Sequence, residues 1–122
     1  MPADLVPNSS RLTLVVRSDL GMGRGKIAAQ AAHAAVAAVL AALGTADFRA
    51  WLRDGQPKVV LKAVSEDDLF AIADRAGDAG LPVQMIHDAG RTQVAAGTPT
   101  CCAIGPAEDS RIDAVTRGLS LL

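Results

Sequence analysis

Aromatic side chains are nearly missing from this chain. Its 122 residues hold no Tyr, two Phe (Phe48 and Phe70) and a single Trp, Trp51. Half of the residues are nonetheless hydrophobic, many of them alanine. A core of that kind is built from aliphatic groups and closely approaching helices, which favours layered α/β packing over a β-sandwich. Cysteine is equally scarce. Cys101 and Cys102 are adjacent, so no disulfide framework is expected, and no CxxC or Cys/His spacing suggests a metal site. A reducing, cytoplasmic setting follows as the expectation. Residues 1–10 lack the basic stretch and apolar run of a signal peptide. The most apolar run, residues 34–43, is too short to span a bilayer, so a soluble chain with no membrane partner is expected.

Familiar catalytic signatures are also missing. There is no GxSxG elbow for a nucleophilic serine, no GxxxxGK[ST] phosphate loop and no GxGxxG dinucleotide loop. Hydrolysis by such a chain would rest on an activated water, with a carboxylate as base and cations stabilising negative charge.

Charge is present and unevenly distributed. The net charge is −1, which argues against indiscriminate nucleic-acid binding. Residues 1–62 carry eight Lys/Arg against four Asp, whereas residues 63–122 carry four against nine Asp/Glu. One basic and one acidic face are the expectation.

Residues 1–10 read as a loose tail before a single domain, 11–122. Residues 12–16 (LTLVV) form a buried type of strand, broken by the glycines of 21–25. Residues 26–43 read as a long alanine-rich helix stopped by Gly44. Ile27, Val36, Val39, Leu40 and Leu43 recur in it at helical spacing, and the alanines let a neighbouring layer come close. A short helix at 46–53 follows a Thr45 cap, then a strand at 59–64 and a helix capped by Ser65 and ended by Gly80. Strands at 82–87 and 100–104 flank a glycine-bearing loop, and Pro106 opens a last helix reaching about Arg117. The expected fold is α/β: a three-layer sandwich whose four-stranded mixed sheet has helices on both faces. Helical crossovers imply parallel neighbours among the first three strands, and the third and fourth suit a hairpin.

Three places could carry chemistry. The loop 19–26 (DLGMGRGK) joins a strand to a long helix, where glycines, free N–H groups and the cations Arg24 and Lys26 suit an anion. The alternative is a plain turn with a solvated lysine. Lys26, Gln30 and His33 share one helical face, which suggests a wet cleft. Loop 88–98 starts at a strand end, where open α/β sheets bind ligands, and offers Asp88, Arg91, Thr92 and Thr98. Were the first and third strands neighbours, the two loops would meet.

The segments 21–34 (GMGRGKIAAQAAHA), 55–62 (GQPKVVLK), 88–93 (DAGRTQ) with Gly97 and Thr98, and 103–106 (AIGP) closely resemble the second type of peptidyl-tRNA hydrolase. Several motifs in order make the resemblance specific over 12–122. It implies the mixed four-stranded fold, often as a homodimer. It also implies cleavage of the ester between a peptide and the tRNA 3′ adenosine, with no cofactor, no DNA and no membrane. By the same resemblance Lys26 and Asp88 are catalytic, with Thr92 and Thr98 near them; on chemical grounds Asp88 could take a proton from a water held by Thr92 or Thr98. Gly23, Arg24, Gly25, Gln30, His33, Lys58 and Arg91 would bind substrate. Arg24 stands where lysine is usual, and Ala31 and Ala96 where cysteine and proline are common. Lys26 could hold either the oxyanion or the terminal phosphate. A non-catalytic RNA binder would have no need of Asp88, and a regulatory interaction protein on this scaffold would tolerate loss of Lys26.

A tRNA polyanion would meet Arg24, Lys26, Arg49, Arg53, Lys58 and Lys62. Affinity measured across a salt series should therefore fall steeply, by roughly 0.7–0.9 in log–log slope for each phosphate contact. A flat dependence would contradict a basic binding face.

Overall fold

The computed structural model describes residues 9–90 and 94–122. Its elements are β1 (Ser10–Arg17), α1 (Arg24–Ala42), α2 (Ala46–Arg53), β2 (Lys58–Ala63), α3 (Glu66–Asp78), β3 (Val83–His87), β4 (Pro99–Glu108) and α4 (Asp109–Thr116). They form the expected mixed sheet, in the order β2-β1-β4-β3. Most of the expected N-terminal tail lies outside the described residues, but Ser10 is fully buried at the start of β1.

Each strand of the centre is apolar on both faces, as a doubly covered sheet requires. Leu12, Leu14, Val16, Cys101 and Ala103 meet Ala34 and Ala38 of α1 and Trp51 of α2. Val15, Ala63, Cys102 and Ile104 meet Leu69, Ile72 and Ala76 of α3, and Ile112 and Val115 of α4. The three layers are therefore α1/α2, sheet, and α3/α4. The charge asymmetry of the sequence becomes spatial here. Arg24, Lys26, Arg49 and Arg53 belong to the α1/α2 layer, while Glu66, Asp67, Asp68, Asp74 and Asp78 belong to α3.

The parallel pairing of β1 with β2 and the antiparallel pairing of β3 with β4 are as expected, but β3 has no parallel neighbour in the sheet. Only β1 and β2 are parallel neighbours; β4 lies antiparallel between β1 and β3. The reason is burial. From Pro99 to Ala107 every residue of β4 is buried, so it takes a central position. β3, half-exposed and carrying Gln84 and His87, takes the edge. β4 also runs further than expected, through Pro106 to Glu108, so α4 opens at Asp109. Gly105, with φ 106°, makes this possible beside the register shift between Arg11 and Thr13. A Cβ there would stand 2.9 Å from the Arg11 carbonyl oxygen. At the other edge, the C-terminal residues cover β2: Lys62 N–H donates to Ser120 at 2.9 Å and Leu122 N–H to Val60 at 3.1 Å.

Helix ends follow local chemistry. Ser65 accepts from the Asp68 N–H at 3.0 Å while Asp68 accepts from the Val64 N–H at 3.0 Å. Thr45 caps α2 by accepting from Phe48 N–H at 3.1 Å. The packing of α1 is less conventional. Its buried face is Gln30, Ala34, Ala38 and Ala42, whereas Val36, Leu40 and Leu43 are exposed. By length and composition alone α1 could cross a membrane; here its alanine face lies against the sheet.

That inversion makes a test. Ala38→Leu should lower stability by about 1–3 kcal/mol, because the helix sits too close to the sheet for added methylenes. Leu43→Ser, at an exposed position, should stay within about 0.5 kcal/mol. Urea unfolding of both variants, followed by circular dichroism, measures the contrast; equal effects would contradict the packing described.

Candidate active site

Lys26 is the third residue of α1, and the first turn of that helix contains no acidic residue. Two cations, Arg24 and Lys26, thus stand at the positive end of the helix dipole, an arrangement local stability disfavours. Its compensation comes from far along the chain. The Lys26 ammonium donates to Asp88 Oδ1, and the two side chains are 9% and 1% exposed.

Asp88 is the first residue past β3, and its placement is over-determined. Its Oδ2 accepts from the Gly90 N–H at 2.6 Å, its own N–H donates to the Thr98 carbonyl at 2.8 Å, and its carbonyl accepts from the Gly97 N–H at 2.8 Å. Gly90 has φ 78°, and a Cβ there would lie 2.8 Å from Ala96 Cα, so only glycine fits this turn. The hydrogen bond from Lys26, seconded by that from Gly90, holds the carboxyl below the usual range despite burial. Asp88 is an anion in the resting protein.

Both loops are tied to the end of β1 by Arg17, a residue the sequence reading passed over. Its guanidinium donates to Asp19 at 3.0 and 2.7 Å and to the Pro99 carbonyl at 3.1 Å. Arg17 thereby braces the glycine loop leading to Lys26 and the strand following Thr98. The hydrogen bond from Arg17 lowers the Asp19 carboxyl below its ordinary value. Arginine in a strand reads as a surface charge, so its loop-bracing role had no local signal.

From the Lys26–Asp88 pair a cleft of about 970 Å³ extends between α1 and β3. Gly25, Gln30 and His33 line it, as the helical spacing suggested. Gln30 is buried, and its side-chain oxygen accepts from the Thr100 hydroxyl at 2.5 Å, so it anchors α1 to β4 as well as lining the cleft. Val36, Ala37 and Leu40 continue the same helical face, and Met85, Ile86 and His87 form the opposite wall. The repeat of three and four residues from Lys26 through Gln30, His33 and Ala37 to Leu40 was the available signal for this extension. Gly23 is the extended N-cap of α1 and its carbonyl accepts from Ile27 N–H at 3.0 Å; Arg24 is exposed beside it. Thr98 is half-buried on the loop closed onto Asp88.

Lys58 is not brought to the cleft. It begins β2, at the opposite edge and opposite end of the sheet from Asp88, with its ammonium 5.1 Å from the centre of the Trp51 ring. Arg91 and Thr92 lie outside the described residues. The two loops do meet, although β1 and β3 are not neighbours, because α1 crosses over β4 to reach β3.

Cys101 and Cys102 are buried on opposite faces of β4, and burial pushes their thiols up to about 11 and about 12. Neither is a thiolate near neutrality, which leaves no cysteine nucleophile. Among the described residues no three His, Cys, Asp or Glu side chains gather as a metal-binding group.

The family model described as peptidyl-tRNA hydrolase PTH2 matches residues 10–122. The peptidyl-tRNA hydrolase of Metallosphaera sedula is 50% identical over 116 residues, covering 92% of this chain and 99% of that protein. That of Haloquadratum walsbyi is 51% identical over 108 residues, covering 88% and 96%. A protein of unknown function from Agrobacterium tumefaciens strain C58 shares the fold with a TM-score of 0.55 at 13% identity, over 94% of this chain and 98% of its own. With a match that begins at the first strand and ends at the last residue, this chain belongs to the peptidyl-tRNA hydrolase PTH2 family.

Proposed function

We propose that the Lys26–Asp88 pair is the reacting centre at which this chain hydrolyses the ester between a peptide and the 3′ end of tRNA. The observation that carries this reading is a buried lysine–carboxylate pair, placed at the positive end of the helix dipole, at one end of a cleft. A water molecule adds to the ester carbonyl, its proton passing to Asp88. The tetrahedral oxyanion then collapses, the carbon–oxygen bond to the ribose breaks, and that oxygen takes up the proton. The products are a free tRNA 3′ end and a peptide acid, which becomes the carboxylate by releasing its proton to water.

The depressed proton affinity of Asp88 shapes the cycle. An anion held that firmly by Lys26 is a weak base in the resting protein. Substrate supplies a competing anion, either the developing oxyanion or a phosphate. As Lys26 turns toward it, Asp88 loses its principal hydrogen bond and becomes more basic. Base strength is thus coupled to substrate occupancy. The Thr98 hydroxyl is a candidate to orient the water, with Thr92 its alternative. Arg24, exposed on the first turn of α1, and Arg49 and Arg53 on the neighbouring helix, would meet the tRNA backbone by phosphate contacts. A homodimer suits the apolar groups left exposed at Val64, Phe70 and Leu121. A cytoplasmic location suits the substrate and the two free thiols.

Two measurements test the pair. Asp88→Asn keeps the shape and removes the basic oxygen; single-turnover hydrolysis should fall by about 10²–10⁴-fold while tRNA binding survives. A folded, binding-competent variant with normal turnover would overturn the proposed base. The second concerns pH. Because the folded proton affinity of Asp88 lies below its ordinary value of 3.8, its ion pair stabilises the fold above that pH and is lost as pH falls through the lower folded value. A carbon-13 NMR titration should place the Asp88 midpoint below 3.8 in the native protein. Lys26→Met should move it above that value, since burial then acts unopposed by the lysine. An unmoved midpoint would show that the two groups are not coupled.

A further inference from the structure

Five consecutive residues, Met85 to Ala89, line the cleft. The first three, Met85, Ile86 and His87, belong to β3, and side chains of a strand alternate between faces, so no single face could present them all. Met85 in fact packs toward the α3/α4 core and Ile86 toward the α1/α2 core. The cleft wall is therefore the backbone edge of β3, and β3 is an edge strand, paired with β4 alone.

The pairing tells which groups the edge presents. The Pro82 carbonyl accepts from Gly105 N–H at 3.0 Å, and Asp88 N–H donates to Thr98 at 2.8 Å; both point toward β4. Backbone groups alternate along an antiparallel strand, so Gln84 and Ile86 face β4 while Met85 and His87 turn their N–H and C=O outward. Among the described residues nothing is bonded to this outward edge. Across the cleft stand Val36 and Leu40, 58% and 65% exposed.

We propose that the peptide part of the substrate binds here as an added strand, running parallel to β3. The inference rests on the esterase reading above. With the ester at Lys26 and Asp88, the peptide must leave along one wall of the cleft. Beyond Lys26 the cleft is lined, among the described residues, by no Lys or Arg that would meet a run of phosphates, and Val36, Ala37, Leu40, Met85 and Ile86 make much of its length apolar. The C-terminal residue then lies beside Asp88, and the chain leads back past His87 toward Met85. That distance is ~10 Å, enough for about three extended residues. Strand addition recognises main-chain groups and not side chains, which suits an enzyme whose substrate is a peptide of any sequence. Val36 and Leu40 cover the added strand from the helix side.

The test compares kcat/KM for N-acetyl-alanyl-tRNA and N-acetyl-trialanyl-tRNA, using the full chain. Alanine isolates the main chain from side-chain effects. The longer peptide should be favoured at least ~10-fold, since each net hydrogen bond contributes roughly a factor of 5. Met85→Pro removes one outward N–H without touching the bonds to β4, as proline permits on an edge strand, and should reduce that ratio several-fold. Leu40→Asp, at an exposed helix position, gives a second route should the proline variant fold poorly; it should also reduce the ratio. Leu52→Ser, on α2 outside the cleft, should keep it. No hydrolysis of either substrate by the native chain would overturn the esterase reading and this inference together. Hydrolysis with no length preference would overturn this inference alone. So would a length ratio that survives Met85→Pro while light scattering shows a dimer become a monomer, which would assign the edge to a second copy of the chain.

Discussion

The architecture depends on how closely α1 can lie against the sheet. Ala34, Ala38 and Ala42 form the contact face, and no bulkier set would let the helix cross β4 and still reach β3. That crossing carries Lys26, at the start of α1, to Asp88, at the end of the edge strand. A leucine-faced helix would stand further off, and the two charges would face water separately. Close packing has a second consequence. With alanines inward, the larger aliphatics Val36 and Leu40 have no core to join and remain at the cleft wall. One packing choice thus makes both the polar end and the apolar length of the cleft.

Around the pair, several local preferences are set aside. Cations occupy the first turn of α1 without an acidic partner on the helix, and a carboxylate is nearly fully buried at a strand end. Each would be costly alone, because a buried charge needs a partner and hydrogen bonds. Together, with Gly90 donating to the second carboxylate oxygen, they satisfy one another. Departures from local rules gathered at one point are what a reactive site leaves in a folded chain. Arg17 extends the arrangement outward, since a single guanidinium holds the loop entering α1 and the strand leaving the Asp88 loop. Cys101 and Cys102, by contrast, are packing residues whose thiols stay protonated.

Much of this was legible in order along the chain. The helix caps at Thr45 and Ser65, the glycine stops, the apolar runs of the strands and the mixed four-stranded fold follow from short-range chemistry. So does the shared helical face of Lys26, Gln30 and His33, which needs only the period of a helix. The placement of Lys58 was not legible. A lysine beside a strand start carries no sign of which sheet edge that strand will occupy, and the 55–62 motif joins the cleft motifs in sequence without joining them in space.

By itself, then, the sequence determined the kind and order of the elements, the caps of α2 and α3, the basic and acidic halves and the family. Tertiary structure alone decided the strand order, the inward face of α1, the role of Arg17 and the open edge of β3. The division has one physical cause. Caps, turns and periodicity act within a few residues, where the chain holds all the necessary information. Central or edge position and inward or outward face are settled by competition for burial among segments far apart in the chain, and β4 takes the place beside β1 because its run 99–107 (PTCCAIGPA) has no charged side chain to keep wet, whereas β3 carries Gln84 and His87.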